Sequence, residues 1–115
     1  MANTFKVVTK AGVTSADVIY TVAGSTTTMV LGLVLGNTTS STITATVTLG
    51  SDTGNRAGAN NEANQDVEII TSAAIPGNSS LEIMGGNKIV MEATDTLTVT
   101  GSAATDVALS IMEMT

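Results

Sequence analysis

Nucleophilic catalysis needs a base beside its nucleophile, and this chain has no histidine to supply one. A lysine would have to stand in. Lys6, Lys10 and Lys88 all sit among strand-forming residues, with no recognisable serine motif close by. A zinc centre would draw on Cys and His, and cysteine is absent too. Ten carboxylates keep a glycosidase-type pair formally open, but sugar sites also present flat apolar surfaces for stacking. With one Phe, one Tyr and no Trp, those surfaces are missing. The sequence therefore predicts no catalytic residue, no metal ligand and no cofactor, and the chain is not read as an enzyme.

Calcium is the ligand with the stronger case. Asp52, Asp66, Asp95 and Asp106 fall at junctions of loop and strand, where carboxylates and carbonyls can converge. No Asp-x-Asp-x-Asp-Gly run accompanies them, and an Asp at such a place ordinarily starts a turn by bonding its own backbone. The turn reading is preferred. The segment 50–65 is a long polar loop, and Asn55, Asn60, Asn61, Asn64 and Gln65 offer hydrogen bonds to sugar hydroxyls. A solvated loop explains them as well.

Net charge is −6 and the isoelectric point about 4.1. Nucleic acid is held through phosphate neutralisation, and four Lys and Arg cannot build a basic stripe. An anionic membrane surface is disfavoured for the same reason. No apolar stretch of signal-peptide length follows the first residues, and the most apolar run, residues 29–36, is far too short to cross a bilayer. The expectation is a chain made in a cytoplasm and not secreted.

The elements that would carry any site are strands. Thr42-Ile43-Thr44-Ala45-Thr46-Val47-Thr48-Leu49 alternates threonine with aliphatic residues, so one face is wet and the other buried. Residues 96–100 repeat the style. Further strand patterns run over 4–9, 17–22, 26–35, 66–71, 81–84, 88–92 and 106–114. Gly85-Gly86-Asn87 reads as a hairpin turn between two of them, and Pro76-Gly77-Asn78 as another turn. Residues 57–63 could form one helical turn at most. The sequence predicts one all-β domain over 1–115, a β-sandwich or jelly roll of about eight short antiparallel strands. Residues 1–16 are either an arm or an edge strand.

One strand departs from the half-buried style. Met29, Leu31, Leu33 and Leu35 alternate with Val30, Gly32, Val34 and Gly36, so neither face is polar. Such a strand is buried on both sides, inside a core or against another subunit. Gly32 and Gly36 then imply a close backbone approach. Six methionines are many for this length, and Met84, Met91, Met112 and Met114 cluster in the last third. Met either fills irregular core gaps or makes adaptable contact surfaces. The candidate interface is therefore Met29, Val30, Leu31, Leu33, Val34, Leu35, Met84, Met91, Met112 and Met114.

The second half carries a resemblance. Ile75-Pro76-Gly77-Asn78-Ser79-Ser80-Leu81-Glu82-Ile83-Met84-Gly85-Gly86-Asn87-Lys88-Ile89-Val90-Met91-Glu92 continues into Asp95-Thr96-Leu97-Thr98-Val99, and the chain ends Asp106-Val107-Ala108-Leu109-Ser110-Ile111-Met112-Glu113. This resembles small structural proteins of tailed bacteriophage virions, of the marine and cyanobacterial type, over about a third of the chain. Their pattern is an Ile-Pro turn, a strand, a glycine hairpin, a Leu-Glu-x-Gly-Asp edge and a final strand. Here Glu92-Ala93-Thr94-Asp95 has threonine where that edge has glycine, which leaves the turn geometry open.

The resemblance implies a virion structural protein. The favoured reading is a capsid decoration or cement subunit, binding the major capsid protein on the outer surface as a closed homo-oligomer, a trimer by preference. A tail, neck or fibre-associated adaptor is the alternative, and a carbohydrate-binding module on 50–65 the second. Neither nucleic acid nor membrane is an expected partner.

Overall fold

The computed structural model describes residues 2–51, 65–84 and 86–115. The described residues form nine strands and no helix: β1 (Asn3–Val13), β2 (Ala16–Thr21), β3 (Thr27–Asn37), β4 (Ile43–Ser51), β5 (Gln65–Ile75), β6 (Ser80–Ile83), β7 (Ile89–Met91), β8 (Thr96–Gly101) and β9 (Thr105–Met114). Threonine alternating with aliphatic residues makes β4 and β8, and β-branched and aliphatic residues dominate the others. Of the two readings for the N-terminal stretch, the edge strand is the one found: Asn3–Val13 is β1, at the edge of its sheet. The stretch 57–63 lies outside the described residues.

All pairings are antiparallel, in two sheets. Sheet A runs β1-β9-β3-β6, with β7 also on β3, and sheet B runs β2-β8-β4-β5. The hairpin expected around residues 85–87 is not one. β6 and β7 do not pair with each other but lie end to end along the same side of β3, Ile83 opposite Leu33 and Ile89 opposite Val30. Met84 and Gly86 have positive φ, which turns the chain out of the edge and lets it return.

Counted as one interrupted strand, β6 and β7 reduce the nine strands to eight. The first then pairs with the last, the second with the seventh, the third with the sixth and the fourth with the fifth. A four-deep hairpin rolled into two facing sheets is a jelly roll.

The core lies between the sheets. Val107, Leu109 and Ile111 of β9 meet Val30, Leu33 and Leu35 of β3 on one side, and Val47, Leu97 and Val99 face them from sheet B. One polar residue is built into its rim. Asn37, 3% exposed, donates to the carbonyls of Ser41 (2.8 Å) and Ile75 (2.8 Å) and accepts from the Thr39 amide (2.9 Å). It ties the β3–β4 turn to the β5–β6 turn, so its buried amide is satisfied rather than stranded.

Strand β3 corrects the face assignment made from its sequence. A register shift between Val30 and Gly32 against β9 makes Leu31 an extra residue. Alternation is thereby reset: Thr28, Val30, Leu33 and Leu35 point inward and are fully buried, while Met29 and Val34 point outward. The reading that Met29, Leu31, Leu33 and Leu35 share one face does not hold. Gly32 is not a site of close approach either, since a side-chain carbon there would meet nothing within 4 Å. Its place in the bulge explains it instead.

Candidate docking face

The outer face of sheet A is where the chain leaves apolar surface unused. Phe5 of β1 is the cross-strand partner of Met112 on β9, Met112 of Met29 on β3, and Met29 of Val90 on β7. These four residues form one row across the whole width of the sheet. Such neighbours lie close enough for their side chains to touch along the row. Phe5 is 71% exposed and Val90 47%. Below the row lie Val7, opposite Ser110, and Val34, opposite Ala108. Among the described residues sheet B shows no comparable stripe: its outer face carries the threonines of β4 and β8, with the exposed Val18 of β2 beside Thr98.

The ten interface candidates divide between this face and the interior. Met29, Val34 and Met112 lie on it, with Met114 at its end opposite Asn3 and Thr27, and Leu31 in the bulge beside it. Val30, Leu33, Leu35 and Met91 are fully buried core residues, and Met84 packs against the core. The four fully buried residues are not presented to a partner. Phe5, Val7 and Val90 were missed. Their signal was the alternation of Phe5 with Val7, legible as a face but not as an uncovered one.

The mouth of the sandwich beside this face holds the chain's polar cluster. Lys6 of β1 reaches Glu113 of β9 at 2.7 Å. Tyr20 of β2 donates its hydroxyl to Glu113 at 2.5 Å and lies 2.8 Å from the Thr28 hydroxyl. Lys6 and the Tyr20 hydroxyl hold the Glu113 carboxyl below the usual carboxylate range. Burial, then the bond to Glu113, pushes the Tyr20 phenol up to about 12. The cluster joins β1, β9, β3 and β2, so it closes one end of the roll. A carboxylate already satisfied by an ammonium and a phenol is poorly placed to take a proton from a substrate.

Two of the four aspartates considered for calcium, Asp95 and Asp106, serve the backbone. Asp106 accepts from the Gly12 amide at 2.9 Å, and Asp95, fully buried, accepts from the Glu92 amide at 3.0 Å. Among the described residues no group of three or more carboxylates is gathered to hold a metal ion. Asp52 lies outside the described residues, as do Asn55, Asn60, Asn61 and Asn64 of the polar loop. Lys10 pairs with Asp17 at 3.5 Å. No described helix is long and apolar enough to cross a membrane.

No protein-family model matches the chain, and no curated protein matches it. Among solved structures, it is similar to a chain from Bacillus endospore appendages, described as a novel family of disulfide-linked pili. That similarity covers 99% of this chain and 87% of the other, at 17% identity and a TM-score of 0.49.

Proposed function

We propose that this chain is a structural subunit that docks the outer face of sheet A onto a larger protein assembly. The observation that carries the reading is the apolar row Phe5–Met112–Met29–Val90 on the outer face, exposed at Phe5 and Val90 and half-buried at the two methionines between them. Contiguous exposed apolar surface of this kind marks an interaction site. Methionine and valine give it an adaptable, uncharged surface in a chain whose net charge is −6. Jelly rolls serve many functions, so the fold by itself does not choose one.

Taken with the resemblance of residues 75–99 and 106–113 to tailed-phage structural proteins, the assembly is a virion. The chain then acts as a decoration or cement subunit on the major capsid protein. Retention comes from many weak contacts made together, and the acidic exterior faces away from packaged DNA.

The test uses capsids stripped of this protein and re-incubated with purified chain. Wild-type chain is expected to rebind at high copy number. Met29→Asp and Val34→Asp are expected to remain folded and fail to rebind. A variant pair that rebinds like wild type removes the face from the contact. A native copy number as low as a dozen moves the chain from capsid to tail or neck.

A further inference from the structure

An open edge on a long strand presents a free row of backbone groups that invites another chain. Two of the four edges here are blunted: β2 is six residues long with a register shift after Val18, and the β6/β7 edge is interrupted between its two pieces. The other two keep a regular stretch open: β1 pairs without a shift from Asn3 to Lys10 and β5 from Gln65 to Glu68, and among the described residues β1 pairs with β9 alone and β5 with β4 alone.

The two edges complement each other in charge. Within its strand limits β1 carries Lys6 and Lys10 and no acid, while β5 carries Asp66 and Glu68 and no base; Lys6 already pairs with Glu113 and Lys10 with Asp17, and both lysines stay half exposed to a second partner. They also match in uncovered apolar surface, with Val7 63% and Val67 53% exposed.

Backbone phase and direction fix how they meet. The Thr115 amide donates to the Ala2 carbonyl at 3.0 Å, so even-numbered residues of β1 bond toward β9 and Phe5, Val7 and Thr9 aim their backbone groups outward. The Ser102 amide donates to the Thr44 carbonyl at 3.0 Å, which turns even-numbered β4 residues toward β8. Leu49 therefore bonds Val67, and Asp66 and Glu68 aim their backbone groups outward. Strand direction alternates across both sheets, so β1 and β5 run the same way at diagonally opposite corners of the sandwich. A second copy displaced by one sheet width and one layer brings its β5 alongside β1 in parallel. In that placement the core face of sheet A and the outer face of sheet B lie on the same side.

We infer that β1 of one copy pairs in parallel with β5 of a second copy, Val7 beside Val67 and Lys6 beside Asp66. In this register the Val7 N–H reaches the Asp66 carbonyl and the Glu68 N–H reaches the Val7 carbonyl, the pattern of a parallel ladder. Lys6 on the core face of sheet A and Asp66 on the outer face of sheet B then share a side, as do Val7 and Val67. Each copy uses two different edges, so the contact is head-to-tail and repeats from copy to copy. The displacement leaves Met112, Met29 and Val90 uncovered. The inference deepens the structural-subunit reading by naming how copies join, and rests on it.

The chain has no cysteine, so engineered thiols report cleanly. Val7→Cys and Val67→Cys, mixed under mild oxidation, are expected to give a disulfide-linked dimer that neither forms alone, since adjacent strands lie about 4.8 Å apart. Val7→Pro should keep its fold, because that N–H bonds nothing within the chain, and should run as a monomer by light scattering while wild type runs as an oligomer. Asp66→Lys, an exposed change, is expected to weaken association in the same way. A monomeric wild type, a Val7→Cys chain that links to itself as readily as to Val67→Cys, or an oligomer untouched by both Val7→Pro and Asp66→Lys would overturn the inference. Failure of the docking reading looks different: Val34→Asp would rebind capsids normally while copies still joined through their edges.

Discussion

At the scale of single residues, the polar cluster at the mouth of the sandwich sets how the protein responds to pH. Glu113 has a lowered pKa, so its stabilising contribution is present above the ordinary carboxylate pKa and is lost as pH falls through the folded value. Tyr20 behaves oppositely. Its pKa is raised from 10.0 to about 12, so its contribution is full below pH 10 and fades as pH rises from about 10 to about 12. Tyr20 is the one tyrosine and there is no tryptophan, so phenolate absorbance reads this single group. The titration midpoint of the folded protein is expected near 12 and that of the unfolded chain near 10. A folded midpoint at 10 would mean that the phenol is neither buried nor bonded to Glu113 in the folded protein. Tyr20→Phe should cost about 1 kcal/mol at neutral pH and flatten the alkaline fall in stability.

Thr94 carries a different kind of local cost. It sits at φ 71°, a left-handed backbone position that a β-branched side chain rarely adopts. Its amide bonds the Val22 carbonyl at 2.9 Å, so the turn itself is firmly held. The sequence places a turn at residues 93–95, and the positive φ makes position 94 one that suits glycine better than threonine. Thr94→Gly is expected to raise stability by about 1 kcal/mol, the left-handed strain less the entropy glycine adds to the unfolded chain. Thermal melting checks it, and a lower melting temperature would show that the threonine side chain supplies more than the strain removes.

At the scale of elements, β3 shows what a sequence pattern can and cannot convey. The alternation in β4, β8 and β9 predicts their buried faces correctly because threonine or polar residues mark the other side. β3 is apolar at nearly every position, so nothing in its sequence marks the outer face, and one bulge residue at Leu31 exchanges the two faces partway along. The same limit hid the relation of β6 to β7: a glycine-rich break looks alike whether the chain turns back on itself or returns to the same edge. Four of the ten interface candidates are therefore core residues and a fifth packs against the core, and the outer row becomes visible only with β1, β9, β3 and β7 side by side.

The corrected faces give a sharp pair of expectations. Leu33→Asp buries an unpaired charge and should cost about 3–5 kcal/mol, enough to prevent folding of many single domains. Val34→Asp, one residue on and 39% exposed, should cost only about 1 kcal/mol of strand propensity. Denaturant midpoints of the two variants measure this. Equal losses would mean that the outer face is packed against something in the isolated chain.

At the scale of the whole molecule, the jelly roll brings the two ends of the described chain together. β1 and β9 pair along nearly their full length, with Asn3 opposite Met114. Every strand pair in the roll except that of the fourth and fifth waits on contacts far apart in sequence, so loop closure must be met before those contacts form. A covalent link between β1 and β9 would remove most of that entropy from the unfolded chain. Asn3 and Met114 suit it, because the hydrogen-bonded neighbours Ala2 and Thr115 make theirs a non-hydrogen-bonded pair, whose Cα atoms approach within disulfide range. Asn3→Cys with Met114→Cys is expected to stabilise the oxidised protein over its reduced form by about 4–5 kcal/mol in the chain-entropy model, since nearly the whole chain lies in the closed loop. Melting with and without reductant gives the difference. A gain under about 1 kcal/mol would show that the ends stay close in the unfolded state or that the pair is strained. A full gain would establish the β1–β9 ladder as the closure on which the roll depends, and would leave the outward backbone groups of Val7 free for a neighbouring copy.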